Sequence, residues 1–295
     1  MSTRPQTTHR GMLVPDNWQD FELLDCHDGL KKERWGAVTV ARPDPQVIWP
    51  SHDEDFLADC NAVYHRSDRG GGEWEVRRPI PNDWTIRYDK LTFRIKPTGF
   101  KHMGLFPEQA VNWRWIMDDV AAAAQPVRLI NLFGYTGGAT VAAAAAGASV
   151  CHVDAAQGVV NWCRDNLELS GLKERPVRLI VDDCFAFVKR ELRRQREYDA
   201  IVMDPPSFGR GKNGEIWKIE GDLYPFLKEC RGLLSKHPRF VLVNSYTAHF
   251  SPTVLANLLA EAFGTGHIEV GELGLPIKCD GKILPCGIFG RWQPA

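Results

Sequence analysis

The sequence predicts an α/β protein: a seven-stranded, mostly parallel sheet with helices on both faces and a terminal antiparallel hairpin, preceded by a small β-rich domain. From residue 127 to residue 263, short apolar runs alternate with amphipathic helical stretches, which is typical of a parallel sheet covered on both sides. Two more strand-like runs follow without a helix between them, which predicts the hairpin at one sheet edge. Before residue 105, strand-like runs separated by turn residues predict the β-rich domain.

These patterns divide the chain into two predicted domains, 1–105 and 106–295. The predicted strands of the second domain are 127–133, 149–153, 177–181, 200–203, 240–243, 268–273 and 283–289. Its predicted helices are 110–124, 139–146, 158–169, 185–196, 223–234 and 253–263. Parallel strands of this kind place their carboxyl ends at one edge of the sheet, which we call the rim, and ligands bind there.

The first domain is predicted from shorter signals. Its strands are expected at 21–24, 37–40, 73–76, 85–88 and 91–95, with a loose arm at 1–17 and a helix at 55–63. Its second half combines cations with aromatic residues: Arg66, Arg69, Trp74, Arg77, Arg78, Trp84, Arg87, Tyr88, Lys90, Phe93, Arg94 and Lys96. Such a surface could hold RNA by phosphate contact and stacking. Acids among them equally suit a solvated sheet face over an aromatic core, and both interpretations stay open.

Length, charge and cysteine usage exclude several classes of protein. A chain of 295 residues with a net charge of −1 has no overall field that attracts nucleic acid or membrane, so any such contact must be local. No apolar run approaches the length of a membrane span, and no secretion signal is evident. The eight cysteines show no CxxC pair and no metal-ligand spacing. We therefore expect a cytoplasmic protein without a metal, and the oligomeric state is left open.

Four motifs follow successive strands and should meet at the rim. The first strand leads into Asn131 to Gly138, a glycine-rich turn whose spacing fits neither dinucleotide nor P-loop sites. The second ends in Asp154, at the position where a carboxylate binds ribose hydroxyls. The third ends in Asp182-Asp183, placed to accept an adenine amino group. Each acid alone could be a helix N-cap, but together these motifs predict a nucleoside pocket.

The fourth motif is Asp204-Pro205-Pro206-Ser207-Phe208, which follows the fourth strand. The two prolines fix φ and remove two backbone donors, so neither a strand nor a helix continues through them. The result is a rigid, extended wall with a carboxylate, carbonyl oxygens and an aromatic ring. Such a wall suits a flat ring that carries amino groups or ring nitrogens. A lone Asp-Pro-Pro would only end a strand, and its meaning depends on the other three motifs.

Together, these motifs resemble those of class I S-adenosylmethionine-dependent methyltransferases, which have a Rossmann-like fold. The resemblance is closest to the branch of bacterial large-subunit rRNA cytosine-C5 and guanine-N7 methyltransferases. That branch has an N-x-F-x-Y-T-G-G turn, a D-D pair, D-P-P-x-F, and a segment like Gly104 to Gln109. The resemblance covers residues 100 to 295 well and the N-terminal part more weakly.

The resemblance implies a role for each matching residue, with S-adenosylmethionine as cofactor and RNA as partner. The target-facing residues would be Asp204, Pro205, Pro206, Ser207 and Phe208. The cofactor site would comprise Gln109, Asn131, Phe133, Gly134, Tyr135, Thr136, Gly137, Gly138, Asp154, Ala155, Asp183 and Cys184. Within it, the glycine-rich turn would hold the amino-acid end, which Gln109 would close. Asp154 would bind ribose, and Asp183 and Cys184 would bind adenine. Arg210 and Lys212, with Trp217, would contact RNA, although a plain surface turn fits equally well.

The residues favour methylation of nitrogen over cytosine C5. A ring nitrogen has a lone pair, and an exocyclic amine needs only an acceptor such as Asp204. Cytosine C5 needs a cysteine thiolate that first attacks the ring. The segments after the fourth and fifth strands, 204–207 and 243–246, contain none, and Cys279 and Cys286 fall in the terminal hairpin.

Other classes fit less well. A nicotinamide oxidoreductase needs a different glycine spacing, and a serine hydrolase has no G-x-S-x-G motif here. A small-molecule methyltransferase is the main alternative, because the net charge is near zero. A non-catalytic RNA-binding protein on the same fold also stays open, although all the cofactor acids are present.

Overall fold

The computed structural model describes residues 5–50, 55–67, 71–210 and 216–295. The N-terminal strands are β1 (Gln6–Leu13), β2 (Phe21–His27), β3 (Leu30–Trp35), β4 (Val38–Pro43), β5 (Ala62–Arg66), β6 (Gly72–Val76), β7 (Trp84–Tyr88) and β8 (Leu91–Ile95). The later strands are β9 (Arg128–Leu132), β10 (Ser149–Asp154), β11 (Val177–Val181), β12 (Ala200–Met203), β13 (Phe208–Arg210), β14 (Ile216–Lys218), β15 (Phe240–Ser245), β16 (His267–Pro276) and β17 (Ile283–Gln293). A 3₁₀ turn (Pro107–Gln109) precedes the helices α1 (Ala110–Ala121), α2 (Gly138–Ala145), α3 (Gln157–Leu169), α4 (Cys184–Arg193), α5 (Ile219–Arg231) and α6 (Pro252–Phe263).

The large sheet confirms the predicted fold class. Its strand order is β1-β16-β17-β15-β12-β9-β10-β11, with β15, β12, β9, β10 and β11 parallel and β17 antiparallel to both neighbours. Alternate residues of each central strand enter opposite cores: Leu129 packs in the core that contains α1 to α3, and Ile130 in the core that contains α4 to α6. Because β10 and β12 flank β9, strand order reverses at β9, where this fold class binds ligands.

The predicted loose arm at residues 1–17 is wrong for residues 6–13. These residues form β1, which pairs in parallel with β16 and becomes the edge strand of the sheet, so the terminal hairpin does not lie at that edge. Arg10 Nε donates to Glu269 Oε2 on β16 at 2.8 Å. These residues show no apolar alternation because most of β1 is exposed, as is usual for an edge strand.

The first hundred residues also contain a five-stranded sheet of β2 to β6 and the ribbon β7–β8. The predicted helix at 55–63 is wrong: residues 55–59 form turns and β5 begins at residue 62. Strand β3 escaped prediction because its buried side chains include the charged Lys31, Lys32 and Glu33. Buried acids and bases of this kind need partners, and Glu33 accepts from Arg42 Nη2 at 2.9 Å.

The N-terminal strands pack directly on the larger domain. Arg94 on β8 donates its backbone N–H to Asn166 Oδ1 at 2.8 Å, and its carbonyl accepts from Trp162 Nε1 at 3.0 Å. Both partners lie on α3. At the join, a Cβ on Gly104 would lie 2.2 Å from the Trp162 ring, so only glycine allows this approach. The division of the chain at residue 105 stays a prediction.

The cations and aromatic residues of the β-rich region mostly serve the fold. Arg94 forms ion pairs with Asp83 and Asp165, and Arg87 forms one with Asp20. The rings of Tyr88 and Phe93 are buried, and Trp84 Nε1 donates to the Trp35 carbonyl at 2.9 Å. This arrangement favours the interpretation as a solvated face over an aromatic core. Arg69 lies outside the described residues.

The described residues contain neither a membrane-spanning helix nor a cluster of metal-binding side chains. No helix there is long and apolar enough to cross a membrane. In the same part of the chain, no group of three or more histidine, cysteine or acidic side chains could hold a metal ion. The expectations of a cytoplasmic location and of a metal-free protein stay predictions.

Candidate cofactor and target site

The rim brings the predicted motifs together. The loop 133–137 follows β9, Asp154 ends β10, Asp182-Asp183 follows β11, and Asp204 follows β12. Backbone bonds tie these ends to each other: Asp204 N–H donates to the Leu132 carbonyl at 3.4 Å, and Asp182 N–H donates to the Asp154 carbonyl at 3.0 Å. The motifs therefore form one continuous edge.

The loop 133–137 has an unusual backbone. Phe133 and Tyr135 have φ values of 56° and 50°, and Gly137 has 88°. A left-handed conformation in a bulky aromatic residue costs roughly 1–2 kcal/mol, and such residues concentrate at ligand sites. The Tyr135 N–H donates to Asp154 Oδ2 at 2.9 Å, which helps to hold this conformation.

The glycines of this loop serve packing against the protein itself. A Cβ on Gly134 would lie 2.4 Å from the His152 ring, and one on Gly137 would lie 2.2 Å from Cys163 Sγ. A Cβ on Gly138 would lie 2.6 Å from the Trp113 ring. The sequence suggested that these glycines allow close approach of a ligand. The structure shows that they let the loop lie close to the core beneath it.

Three predicted cofactor residues have buried side chains with partners inside the protein. Asn131 Nδ2 donates to Thr140 Oγ1 at 2.9 Å. Thr136 Oγ1 donates to the Gly104 carbonyl at 2.5 Å. Cys184 Sγ accepts from the Phe133 N–H at 3.3 Å, and burial raises the pKa of its thiol well above the usual range. Their side chains fix the shape of the rim, so any cofactor contact from them would come from backbone atoms.

Asp154 and Asp183 keep their carboxylates at the rim. Asp154 accepts from the Tyr135 and Ala156 N–H groups, at 2.9 and 3.0 Å, and burial still raises its pKa. Asp183 is exposed and caps α4, accepting from the Ala186 N–H at 2.9 Å through Oδ1. Its Oδ2 has no partner in the described part of the chain. The neighbouring Asp182 forms an ion pair with Arg190, which leaves Asp183 as the available acid of the pair.

Asp204 is the most perturbed acid at the rim. The residue as a whole is partly exposed, while its carboxyl group is surrounded by protein atoms. This burial, and secondly the nearby charge of Glu108, raise its pKa to about 7. No hydrogen-bond donor contacts the Asp204 side chain among the described residues. An acid of this kind is suited to accept a hydrogen bond or a proton from a bound group.

A buried chain of side chains leads from Arg291 to this acid. Arg291 Nη2 donates to Asn112 Oδ1 at 2.7 Å, and Asn112 Nδ2 donates to Gln109 Oε1 at 2.9 Å. Gln109 Nε2 then donates to the Tyr246 hydroxyl at 2.8 Å. The Tyr246 hydroxyl lies within hydrogen-bonding reach of the Glu108 carboxyl group.

The direction of this chain follows from its first member. Arginine can only donate, so Asn112 must present its oxygen to Arg291 and its nitrogen to Gln109. Gln109 must therefore present its nitrogen to Tyr246. Because the Tyr246 oxygen accepts from Gln109, its own proton points to Glu108. Gln109 thus orients Tyr246 in this structure, and its role at the cofactor stays a prediction.

The Asp-Pro-Pro wall is supported from behind by aromatic residues. Trp217 is buried, and its Nε1 donates to the Pro206 carbonyl at 2.5 Å. The Phe133 ring lies 6.1 Å from the Trp217 ring and 5.9 Å from the Phe226 ring. The prediction that Trp217 contacts RNA is therefore wrong, because it is a structural support. It also occupies the Pro206 carbonyl, so the Pro205 carbonyl is the one beside Asp204 that a target could use.

Beyond the prolines, the chain turns outward into the ribbon β13–β14. Phe208 is 51% exposed and its ring lies 5.9 Å from the Arg210 guanidinium carbon. Ser207 Oγ is 2.7 Å from Thr247 Oγ1, which fixes the base of the ribbon to the segment after β15. Lys212 lies outside the described residues. An exposed ring with an adjacent cation can stack on a flat group.

Sequence reasoning missed Glu108 and Tyr246. Glu108 reads as an ordinary acid in the first turn of a helix, and Tyr246 as part of the segment after β15. Burial raises the pKa of both groups. Their positions in the sequence were the one available signal. Glu108 precedes Gln109, which was assigned to the site, and Tyr246 follows the end of a predicted sheet strand.

The sequence of this chain is similar to those of known methyltransferases. A family model described as S-adenosylmethionine-dependent methyltransferase matches residues 58–223. A ribosomal RNA large subunit methyltransferase K/L from Shewanella frigidimarina is 32% identical over 155 residues, which are 52% of this chain and 21% of that protein. The protein of the same name from Methylococcus capsulatus is 36% identical over 218 residues, which are 73% of this chain and 28% of that protein. The matched part of the chain thus spans between 21% and 28% of the length of these curated relatives.

Solved structures give a fuller overlap. The SAM-dependent methyltransferase from Agrobacterium tumefaciens is 34% identical, with a TM-score of 0.94, and covers 100% of this chain and 97% of its own. The structure of SMU.776 complexed with SAH is similar in fold, with a TM-score of 0.74 at 18% identity, over 94% of this chain and 76% of its own. The overlap with the first structure includes the β-rich N-terminal region as well as the large sheet.

Proposed function

The chain belongs to the family of S-adenosylmethionine-dependent methyltransferases, and we propose that it transfers a methyl group to a nitrogen atom of a nucleobase in ribosomal RNA. Membership in this family makes S-adenosylmethionine the cofactor. The observation that carries the nitrogen assignment is the unpaired, buried acid Asp204, followed by Pro205 and Pro206 and by no cysteine.

The rim fits the cofactor. Each oxygen of Asp154 accepts one backbone N–H and has a further lone pair for a ribose hydroxyl. The free Oδ2 of Asp183 can accept from the adenine amino group. The exposed Ala155 leaves space between them. The loop 133–138 would lie along the amino-acid end, which Gln109 closes on the other side.

Asp204 then faces the target. Bound S-adenosylmethionine supplies an electrophilic methyl group. Asp204 and the Pro205 carbonyl accept hydrogen bonds from the target, which aligns its nitrogen with that methyl group, and orientation of this kind supplies much of the rate. For an exocyclic amine, Asp204 also takes the proton that the nitrogen loses. For a ring nitrogen with a free lone pair, it orients the base only.

Methylation of cytosine C5 is the alternative to methylation of nitrogen. The thiol of Cys286 lies close enough to Glu108 for the charge of that residue to act on it. Burial raises the pKa of the Cys286 thiol well above the usual range, and its Sγ donates to the Leu284 carbonyl at 3.5 Å. A nucleophile must be a thiolate, so this environment disfavours the C5 reaction. Cys184 is buried with a raised pKa as well.

The RNA substrate rests on the relatives and on the ribbon. Two curated relatives are named for large-subunit ribosomal RNA. The exposed Phe208 ring beside Arg210 is suited to stack on a base and to contact its phosphate. A small-molecule substrate would use the same acid and prolines, but it would give no reason for this exposed pair.

Comparison of rRNA from a deletion strain and its parent tests the proposal. Nucleosides are analysed by mass spectrometry, with the deletion complemented by the wild-type gene or by Asp204→Asn. We expect one methylated nucleoside to disappear in the deletion and to return only with the wild-type gene. An unchanged profile would contradict an rRNA substrate and favour a small-molecule methyltransferase.

A further inference from the structure

The amino-terminal edge of the large sheet, opposite the rim, carries two adjoining cavities. One has a volume of about 470 Å³ and the other about 530 Å³. Both are lined by Arg128 and Glu197, so they form one groove that runs across the ends of β11, β10, β9 and β12. We call it the basal groove. It lies roughly 17 Å from the rim, because β9 has five residues that each advance about 3.4 Å.

The basal groove is strongly basic in a chain whose net charge is −1. Its cationic lining residues are Arg128, Arg175, Arg178, Arg196, Lys236 and Arg239. Its acidic lining residues are Glu197 and Asp199. A local excess of cations raises the concentration of polyanions at a surface and speeds their association.

Only part of this charge is neutralised within the protein. Asp199 accepts from Arg128 Nη2 at 2.8 Å, and Asp119 accepts from Arg239 Nε at 2.7 Å. In the described part of the chain, no acid pairs with Arg175, Arg196 or Lys236. All three are exposed. Unpaired guanidinium groups are suited to phosphate because they offer several donors in one plane.

We propose that the basal groove binds the phosphate backbone of the RNA substrate at a distance from the methylated base. This rests on the proposed RNA substrate and adds a second contact surface to it. A structured RNA is much larger than the base that enters the rim, so its backbone can reach both edges of a sheet this narrow. Two separate contacts hold the RNA in one orientation, whereas the ribbon alone contacts only the target region. Phosphate contacts of this kind position RNA without reading its sequence.

Charge reversal tests the proposal. Arg175→Glu, Arg196→Glu and the double variant are compared with the wild type for binding to a large-subunit rRNA transcript at several salt concentrations. Arg164→Glu serves as a control, because Arg164 is an exposed cation on α3 that lines neither cavity. The double variant should bind about tenfold more weakly, with a salt slope lower by about one for each contact removed. Arg164→Glu should bind like the wild type.

Kinetics separate this role from the chemistry. The KM for the transcript should rise in the double variant while kcat and the affinity for S-adenosylmethionine stay at the wild-type values. Wild-type RNA affinity in the double variant would overturn the basal groove as a binding surface and leave the proposed function intact. Equal weakening by Arg164→Glu would also overturn it, because the effect would then be one of net charge. Absence of RNA binding by the wild type would overturn both proposals.

Discussion

Gln109 and Tyr246 are 137 residues apart in the chain, yet Gln109 Nε2 donates a 2.8 Å hydrogen bond to the Tyr246 hydroxyl. This bond joins the 3₁₀ turn before α1 to the segment after β15. It is one link in a chain that starts at the always-charged Arg291 and ends at Glu108, beside Asp204. The direction of every bond is set by Arg291. The target side of the site is therefore ordered by residues that themselves need not touch a substrate.

Asp204→Asn should abolish methyl transfer and leave cofactor binding within a few fold of the wild type. The amide keeps the size of the side chain but cannot take a proton, and general-base roles are worth roughly 10²- to 10⁴-fold. Methyl transfer to rRNA and calorimetric binding of S-adenosylhomocysteine measure the two properties. Equal loss of both would move Asp204 from the target side to the cofactor side.

The rate should rise with pH through about 7, since Asp204 can take a proton from the target only when its carboxyl group is ionised. Glu108→Gln removes one cause of the raised pKa, so the acid limb of the kcat profile should move to lower pH. Burial, the larger cause, remains, so the limb should stay above the ordinary aspartate range. Glu261→Gln, an exposed acid on α6, is the control. An unmoved limb in Glu108→Gln would show that another group titrates.

Arg291→Met should lower kcat by about tenfold, with a smaller change in the KM for RNA. Without the charged donor, the Asn112 and Gln109 amides can reverse, and the Tyr246 proton is no longer directed at Glu108. Arg10→Met is the matched control, because Arg10 pairs with Glu269 from the exposed side and does not touch Asn112. Steady-state kinetics measure kcat and the KM for RNA in both variants. A wild-type kcat in Arg291→Met, or an equal loss in Arg10→Met, would contradict the ordering role.

Gly137→Ala should destabilise the protein by about 1–3 kcal/mol. The added Cβ would meet Cys163 Sγ at 2.2 Å, and φ of 88° is unfavourable for alanine. Gly221→Ala on α5 is the control, because a Cβ there meets nothing within 4 Å. Denaturant unfolding measures both variants. If Gly137→Ala were as stable as Gly221→Ala, the tight packing of the loop on Cys163 would be incorrect.

Cys286→Ser should retain most of the activity, because nitrogen methylation needs no thiolate. The same variant would lose essentially all activity in a C5 enzyme that used Cys286. The assay is transfer of a labelled methyl group to rRNA. Loss of activity with normal folding by circular dichroism would favour C5 chemistry.

Much of the large sheet could be predicted because its strands are buried on both faces and its helices on one. The short apolar run Ala200–Met203 lies between two predicted helices, and only a buried strand fits it. Strands β1 and β3 could not be predicted, since one is exposed and polar and the other buries charged side chains. Strand β1 pairs with residues more than 200 positions away in the chain. The buried charges of β3 depend on ion pairs with other strands.

The candidate site shows the same limit. Asp154, Asp183 and Asp204 follow strands and could be located by the topology of a parallel sheet. The roles of Asn131, Thr136 and Trp217 as internal supports depend on partners from other elements, which no local pattern shows. The carboxyl group of Glu108 becomes buried only in the folded protein, where Tyr246 lies next to it.

The most direct test of the central claim is the chemical position of the methyl group. The purified chain is incubated with S-adenosylmethionine labelled in its methyl group and with unmodified large-subunit rRNA, and the labelled nucleoside is identified by mass spectrometry against standards. Our account predicts one labelled nucleoside methylated on nitrogen, absent with Asp204→Asn. Label on cytosine C5, or incorporation that persists with Asp204→Asn, would contradict it.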